Sequence, residues 1–269
     1  MKDVQYQATV PIAPPAVVPT GKESGPDVEA GVFLIDKPVG PTSFQIVRQV
    51  RKALGIKKVG HAGTLDPFAS GLLILCAGRP ATRIIDQLMG GDKTYEATLR
   101  LGIETDTQDL EGEVVAEQPV RELSRAEVEA CLAGFVGEGV QTPPRYSALK
   151  HKGKPLYYYA RKGIEVVKPP RPIIIRELLL LALGADWLTI RVHCGKGTYV
   201  RTLGADIGNA LGCGAHLIAL RRLQSGPFSV TKALPGDRLA DREQAQELLA
   251  RHRLTVDEAL AALGEAKAG

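Results

Sequence analysis

Two apolar segments joined by a short turn constrain the fold more than any other feature. Ile173 to Leu183 is a long apolar run, Gly184-Ala-Asp186 is a turn, and Trp187 to Cys194 alternates apolar with polar residues. This pattern predicts a buried strand and a half-buried strand paired as a hairpin. Tyr95 to Leu101 alternates in the same way, and Gly31-Val-Phe-Leu-Ile-Asp-Lys-Pro38 is a short apolar strand closed by proline. Helices lie between these strands. Thr42-Ser-Phe-Gln45 has the T-x-x-Q spacing of a capping box, with Val47, Val50 and Leu54 following at helical spacing. Residues 43–54 therefore form an amphipathic helix with its arginines outward. Ala81 to Met89 and Thr202 to Leu211 read as further helices, and Ser124-Arg-Ala-Glu127 caps another through Cys131 and Leu132. Strands and helices mix without regular βαβ alternation, which predicts an α+β fold rather than a doubly wound one.

Residues 1–30 hold Pro11, Pro14, Pro15, Pro19 and Pro26 with no hydrophobic period, the pattern of a disordered N-terminal extension. Residues 31–232 form the main domain, and residues 233–269 a short helical tail whose last piece is capped by Thr255-Val-Asp-Glu258. No repeat of fixed period occurs. Hydrophobic residues at 44% suffice for a core, and 34 Lys+Arg against 30 Asp+Glu leave a net charge of only +4. The distribution says more than the total. Arg48, Arg51, Lys52, Lys57 and Lys58 crowd one segment. A second cluster runs from Lys150 to Lys162 and interleaves with Tyr157, Tyr158 and Tyr159. Basic residues among aromatics suit RNA, although a solvated face explains any one such cluster. Cys76, Cys131, Cys194 and Cys213 contain no C-x-x-C pair, and no histidine stands at zinc-like spacing. Neither a disulfide framework nor a metal site is expected, so the four read as buried free thiols in a reducing compartment. The first residues lack the basic start and apolar run of a signal peptide, and no stretch is long enough to span a bilayer. The expected location is cytoplasmic.

The chemistry concentrates in Gly60-His-Ala-Gly-Thr-Leu-Asp-Pro67, continuing through Phe68-Ala-Ser-Gly-Leu-Leu73. Proline stiffens the backbone after Asp66 and glycine permits a tight turn before it. A carboxylate held this way, without metal-ligand neighbours, suits a nucleophile or a base. Read alone, Leu-Asp-Pro is a turn acid.

This block resembles the signature of TruB-type tRNA pseudouridine synthases, and further blocks match that family in order. They include Leu34-Ile-Asp-Lys-Pro38, Lys93-Thr-Tyr95, Leu101-Gly with Thr105-Asp106, and Tyr146-Ser-Ala-Leu-Lys150. Gly195-Lys-Gly-Thr-Tyr-Val-Arg201 and Cys213-Gly-Ala-His-Leu217 with Leu220-Arg-Arg-Leu223 complete the set. The resemblance covers roughly residues 31–230. It implies the pseudouridine synthase fold, a bent, mostly antiparallel mixed sheet flanked by helices around a central cleft, with residues 31–232 as the catalytic domain. It implies isomerisation of uridine to pseudouridine at standard position 55 of the tRNA T-loop, with no cofactor, no metal and no obligate protein partner, by a monomer.

The resemblance also implies roles. Asp66 matches the essential carboxylate, which attacks the sugar C1′, attacks C6 of the base, or takes the C2′ proton to give a glycal. Glycoside hydrolysis generally uses two carboxylates, and the motif supplies one. Tyr95 matches the tyrosine that packs on the target base and assists proton removal. Arg201 matches the arginine that pairs with the carboxylate and keeps it ionised. Tyr199 and Leu220 match pocket residues, and His61 the histidine that meets the RNA where the flipped nucleotide has left the stack. Lys37 is expected at the pocket floor, positioning Pro38 and the motif loop or touching phosphate. Two departures stand out: Ala62 where threonine is common, and Arg83 for lysine in Gly78-Arg-Pro-Ala-Thr-Arg83. The chain ends about where many relatives begin a PUA-type RNA-binding domain, so more salt-sensitive tRNA binding is expected. The alternative function is a tRNA-folding chaperone with secondary isomerase activity. A guide-dependent relative and a small-molecule glycosidase rank below it.

Overall fold

The computed structural model describes residues 30–166 and 168–268, and the expected extension over residues 1–30 lies outside them except for Ala30. The chain opens with β1 (Gly31–Lys37), α1 (Ser43–Leu54), β2 (Val59–His61) and β3 (Ser70–Ala77). Two short helices, α2 (Gly78–Arg83) and α3 (Ile85–Leu88), lead into β4 (Lys93–Leu101), β5 (Ile103–Thr105) and β6 (Val114–Glu117). Next come α4 (Arg125–Ala133), β7 (Gly137–Gln141), β8 (Lys150–His151), β9 (Lys154–Pro155) and α5 (Leu156–Ala160). The long hairpin β10 (Arg171–Leu183) and β11 (Trp187–Cys194) is followed by α6 (Val200–Ala210) and β12 (Ala215–Ser225). The chain closes with β13 (Phe228–Ser229), β14 (Leu234–Pro235), α7 (Arg242–Arg251) and α8 (Val256–Ala268).

One sheet organises everything, with strand order β14-β1-β3-β12-β4-β11-β10-β7. Among the described strand pairs only β1–β14 and β12–β3 are parallel. The expected hairpin is present, with Leu183 opposite Leu188 and Ile175 opposite Cys194. Register shifts in β10 and β12 bend those strands, as bulges do. Strands β1 and β3 carry apolar side chains on both faces. Phe33, Ile35, Leu73 and Leu75 pack against α1 and α7, while Val32, Leu34, Leu72 and Ile74 pack against α2, α3 and α8. Burial on both faces explains their unbroken apolar runs. In β4, Tyr95, Ala97 and Leu99 face the core under α6. Its other face is polar: Glu96 pairs with Arg191 at 2.7 Å and Thr98 bonds Thr189 at 3.0 Å.

Local signals operate as their chemistry demands. Thr42 with Gln45 and Ser124 with Glu127 both close as reciprocal capping boxes. Thr255 and Glu258 do the same at the head of α8. Three expectations are corrected. The helix placed over Ala81–Met89 is two helices, because the chain tightens at Ile84, whose N–H reaches back three residues to Ala81. On α1, Arg48 and Lys52 are exposed, but Arg51 folds inward and donates to Val59 O at 3.4 Å. Cys76, Cys194 and Cys213 are buried free thiols, whereas Cys131 on α4 is a half-buried free thiol packed at the edge of the core. Residues of the tail enter both cores, Ala245 and Leu249 in one and Ala259 and Leu263 in the other.

Candidate active site

The loop between β2 and β3 carries the motif, and buried groups hold it from several sides. Leu65, Phe68 and Ala69 anchor it in the core. Ser43, at the head of α1, accepts from Leu65 N at 2.8 Å and donates to Leu65 O at 2.9 Å. Ala69 N closes a turn onto Asp66 O at 3.1 Å, and Gly40 N donates to Pro67 O at 2.8 Å. Asp66 is thus an apex residue on a fastened loop, its side chain 35% exposed.

Arg201, in the first turn of α6, is 5% exposed and reaches that carboxylate with Nε at 3.1 Å. Its Nη1 meets Asp109 Oδ2 at 3.1 Å and Thr107 O at 2.9 Å, and its Nη2 donates to Tyr146 O at 2.6 Å. Asp109 is itself buried and accepts from Thr107 Oγ1 at 2.6 Å and Glu111 N at 3.0 Å. Burial pushes the Asp66 pKa up and Asp109 adds to the rise, while Arg201 and Lys37 oppose it. Arg201 thus offsets part of the desolvation cost of the charged carboxylate. Lys37 is fully buried, donating to Pro38 O at 2.8 Å, Pro41 O at 2.7 Å and Pro67 O at 3.3 Å. It positions the loop backbone and presents no surface to a phosphate. Burial pushes its pKa down to about 8.

Tyr95 and Tyr199 line one cavity of about 670 Å³ with Gly63 and Thr64 of the motif loop. Lys93, Arg171, Lys196 and Arg222 also line it, against a single acid, Asp86. Burial raises the phenol pKa of both tyrosines. Gln141 clamps the Tyr199 peptide, donating to its O at 3.1 Å and accepting from its N at 2.8 Å. Leu220 is 8% exposed and lines a separate cavity with Pro67, Leu110 and Glu111. His61, at the end of β2, lines neither cavity. Its Nδ1 is buried without a partner, and burial lowers its pKa. The structure thus pairs Asp66 with Arg201, ties Lys37 to the same loop through Pro67 O, sets Tyr95 and Tyr199 in the adjoining cavity, and leaves Leu220 and His61 at its margins.

A family model described as the N-terminal domain of TruB family pseudouridylate synthases matches residues 51–200, and a tRNA pseudouridylate synthase B C-terminal domain matches residues 201–261. The chain belongs to the TruB family. A TruB relative from Desulfotalea psychrophila, called tRNA pseudouridine synthase B, is 58% identical over 86% of this chain and 96% of its own length. One of the same name from Chromobacterium violaceum is 54% identical over 79% of this chain and 68% of its own. Among solved structures, a Cbf5 complex with Nop10 and Gar1 aligns with TM-score 0.66 and 28% identity over 86% of this chain and 62% of the matched one. An archaeal Nop10–Cbf5 complex aligns with TM-score 0.63 at 26% identity. These neighbours share the bent mixed sheet and flanking helices, the pseudouridine synthase fold.

Sequence reasoning missed Asp109, Ser43, Gln141 and Arg222 as residues of this TruB site. Asp109 stands three residues past the quoted Thr105-Asp106, and Arg222 within the quoted Leu220–Leu223 block. Only their burial marks them, and burial of a charged side chain has no local signature.

Proposed function

We propose that this chain isomerises uridine to pseudouridine at position 55 in the T-loop of tRNA, acting as a monomer in the cytoplasm without cofactor or metal. The observation that carries the reading is the pair of Asp66 and Arg201, 3.1 Å apart beside a cavity lined by two tyrosines and four cations. The 58% identity to a protein called tRNA pseudouridine synthase B supports tRNA as substrate, well above the 28% to Cbf5 of the Nop10–Gar1 complex.

The target uridine lies in a folded loop and is extruded before reaction, at a cost of a few kcal/mol. Its phosphates meet the cationic wall, and the base enters beside Tyr95. Asp66 then acts on C1′, on C6 or on the C2′ proton. Arg201 fixes the direction of the carboxylate and stabilises its charge. The exchange of a C–N for a C–C glycosidic bond is redox-neutral and intramolecular, so atoms and electrons balance without an added reagent. The exposed basic residues of α1 and of the segment around α5 bind backbone phosphates beside the cleft.

The test is tritium release from a T-arm stem-loop labelled at uridine C5. Release by wild type and not by Asp66→Asn, with stem-loop binding retained within a few-fold, is the expected result. No release by wild type despite binding would replace the isomerase with the folding chaperone, which Asp66→Asn would still perform.

A further inference from the structure

Among the described residues Arg222 is the largest fully buried side chain, 2% exposed. Its Nε donates to Leu72 O at 2.6 Å and its Nη2 to Gly63 O at 3.1 Å, tying β3 to the motif loop. It lies opposite Tyr95 in the β12–β4 register, and its charge opposes the rise that burial imposes on the Tyr95 pKa. Lys93 precedes Tyr95 by two residues on the same face of β4 and is 9% exposed, its Nζ held by Met89 O and Gly91 O, both at 2.6 Å. All three line the same cavity. Among the described residues neither cation makes an ion pair.

A buried charge without a counter-charge is costly, and carbonyls only partly compensate it. Arg222 stands across from Tyr95, and Lys93 shares its face of β4. The other ionisable groups facing that tyrosine are Cys194, whose thiol burial pushes up to about 11, and Asp66. Neither forms an ion pair with Arg222 or Lys93; Asp92 acts on Lys93 and Asp86 stands on the cavity wall, so the positive charge acting on the Tyr95 phenol is chiefly that of Arg222. Resting on the pseudouridine synthase reading, we propose that Arg222, backed by Lys93, is a positioning residue that aims the Tyr95 oxygen at uracil C5 and stabilises its negative charge when it removes the C5 proton.

In that step the base is already joined to C1′ through C5, which is tetrahedral and still bears its hydrogen. The C5–H bond breaks and its proton passes to the Tyr95 phenolate. The electron pair forms the C5–C6 double bond, the C6–N1 π pair moves onto N1, and N1 takes a proton from water. The phenol returns its proton to solvent before the next turnover.

The experiment compares T-arm stem-loops carrying hydrogen or deuterium at C5 of the target uridine. Wild type, Arg222→Gln and Arg222→Lys are each checked for folding by thermal melting. Arg222→Gln is expected to lose about 100-fold or more in single-turnover rate, the scale of a displaced general base. Its C5 isotope effect is expected to rise at least about twofold above wild type, because proton removal becomes limiting. Arg222→Lys, which keeps the charge without the fork, is expected to recover about tenfold of that loss. Replacing Tyr95 site-specifically by a fluorotyrosine, a stronger acid, is expected to restore rate in either variant. A slow variant with an unchanged isotope effect and no fluorotyrosine rescue would overturn the proposal, leaving Arg222 as a loop tie. So would weaker binding with a lower salt slope and a normal isotope effect, which would make the cations a phosphate site. If Arg222→Gln does not fold, Arg222→Lys with an unchanged rate and isotope effect overturns it equally. An inactive wild type would remove the underlying reading as well, and is told apart by the wild-type control alone.

Discussion

Asp66 and Asp109 share one buried guanidinium: Arg201 Nε lies 3.1 Å from Asp66 Oδ2, and its Nη1 lies 3.1 Å from Asp109 Oδ2. One acid is buried and accepts hydrogen bonds from Thr107 and Glu111, while the other faces the cleft. Asp109 therefore anchors the arginine and Asp66 uses it. Asp109→Asn is expected to keep the shape but loosen Arg201, and an ångström of misplacement costs about 100-fold in rate. Single-turnover pseudouridine formation checks this, with stem-loop binding as the control. An unchanged rate would mean that the carbonyls of Thr107 and Tyr146 suffice to hold Arg201.

Activity and stability are expected to oppose each other at Asp66. Its carboxyl titrates above the ordinary value, chiefly through burial, so the folded state binds its proton more tightly than the unfolded state. Between the ordinary and the raised pKa, folding stability contributed by this group falls as pH rises. It stays reduced at neutral pH. Asp66→Asn should thus raise Tm at pH 7.5, and the gain should fade as pH falls below the ordinary carboxylate range. A lower Tm at pH 7.5 would show that the pair with Arg201 outweighs desolvation.

Lys37 offers a separate handle on the loop. Lys37→Met removes the donor to three carbonyls and is expected to destabilise by about 2–4 kcal/mol, the cost of stranded buried acceptors. Because one of them is Pro67 O, beside Asp66, kcat should fall while KM changes little. The wild-type pKa of about 8 lies below the ordinary lysine value, so the unfolded state binds more protons between those two values. Wild-type stability should therefore rise with pH from about 8 upward, and that rise should be absent in Lys37→Met. Urea midpoints at pH 7 and 9.5 decide it.

Gly71 pairs with Arg222 where β3 runs beside β12. A Cβ there would stand 2.3 Å from Arg222 O, and the residue has φ +99°. Gly71→Ala is expected to cost about 2 kcal/mol or more and to displace Arg222 from the motif loop. A denaturant midpoint near wild type would show that the two strands can part without loss.

The segment around α5 carries Lys154 and Lys162 over the Tyr158 ring at 4.2 and 4.8 Å, on an exposed surface. If both lysines contact phosphate, the double alanine variant should lower the slope of log K against log salt by about 1.4–1.8, at 0.7–0.9 per contact. An unchanged slope would assign that face to solvent.

What the sequence determined by itself is local or repeats at short range. The capping boxes at Thr42, Ser124 and Thr255 and the hairpin about Gly184 are specified by residues within a turn of each other, and all stand as read. The motif around Asp66 was legible because Gly and Pro declare backbone conformation wherever they occur. Strands β3 and β12 were not read as strands: β3 is buried on both faces and lacks alternation, and β12 mixes buried and exposed positions across two register shifts. Tertiary structure alone decided that Arg222 and Lys37 are interior groups bound to carbonyls rather than surface cations. It alone decided that Asp109 and Gln141 hold Arg201 and Tyr199. Each of these roles depends on burial and on partners brought together by the sheet, and the desolvation that gives a buried charge its direction exists only once the chain has closed around it.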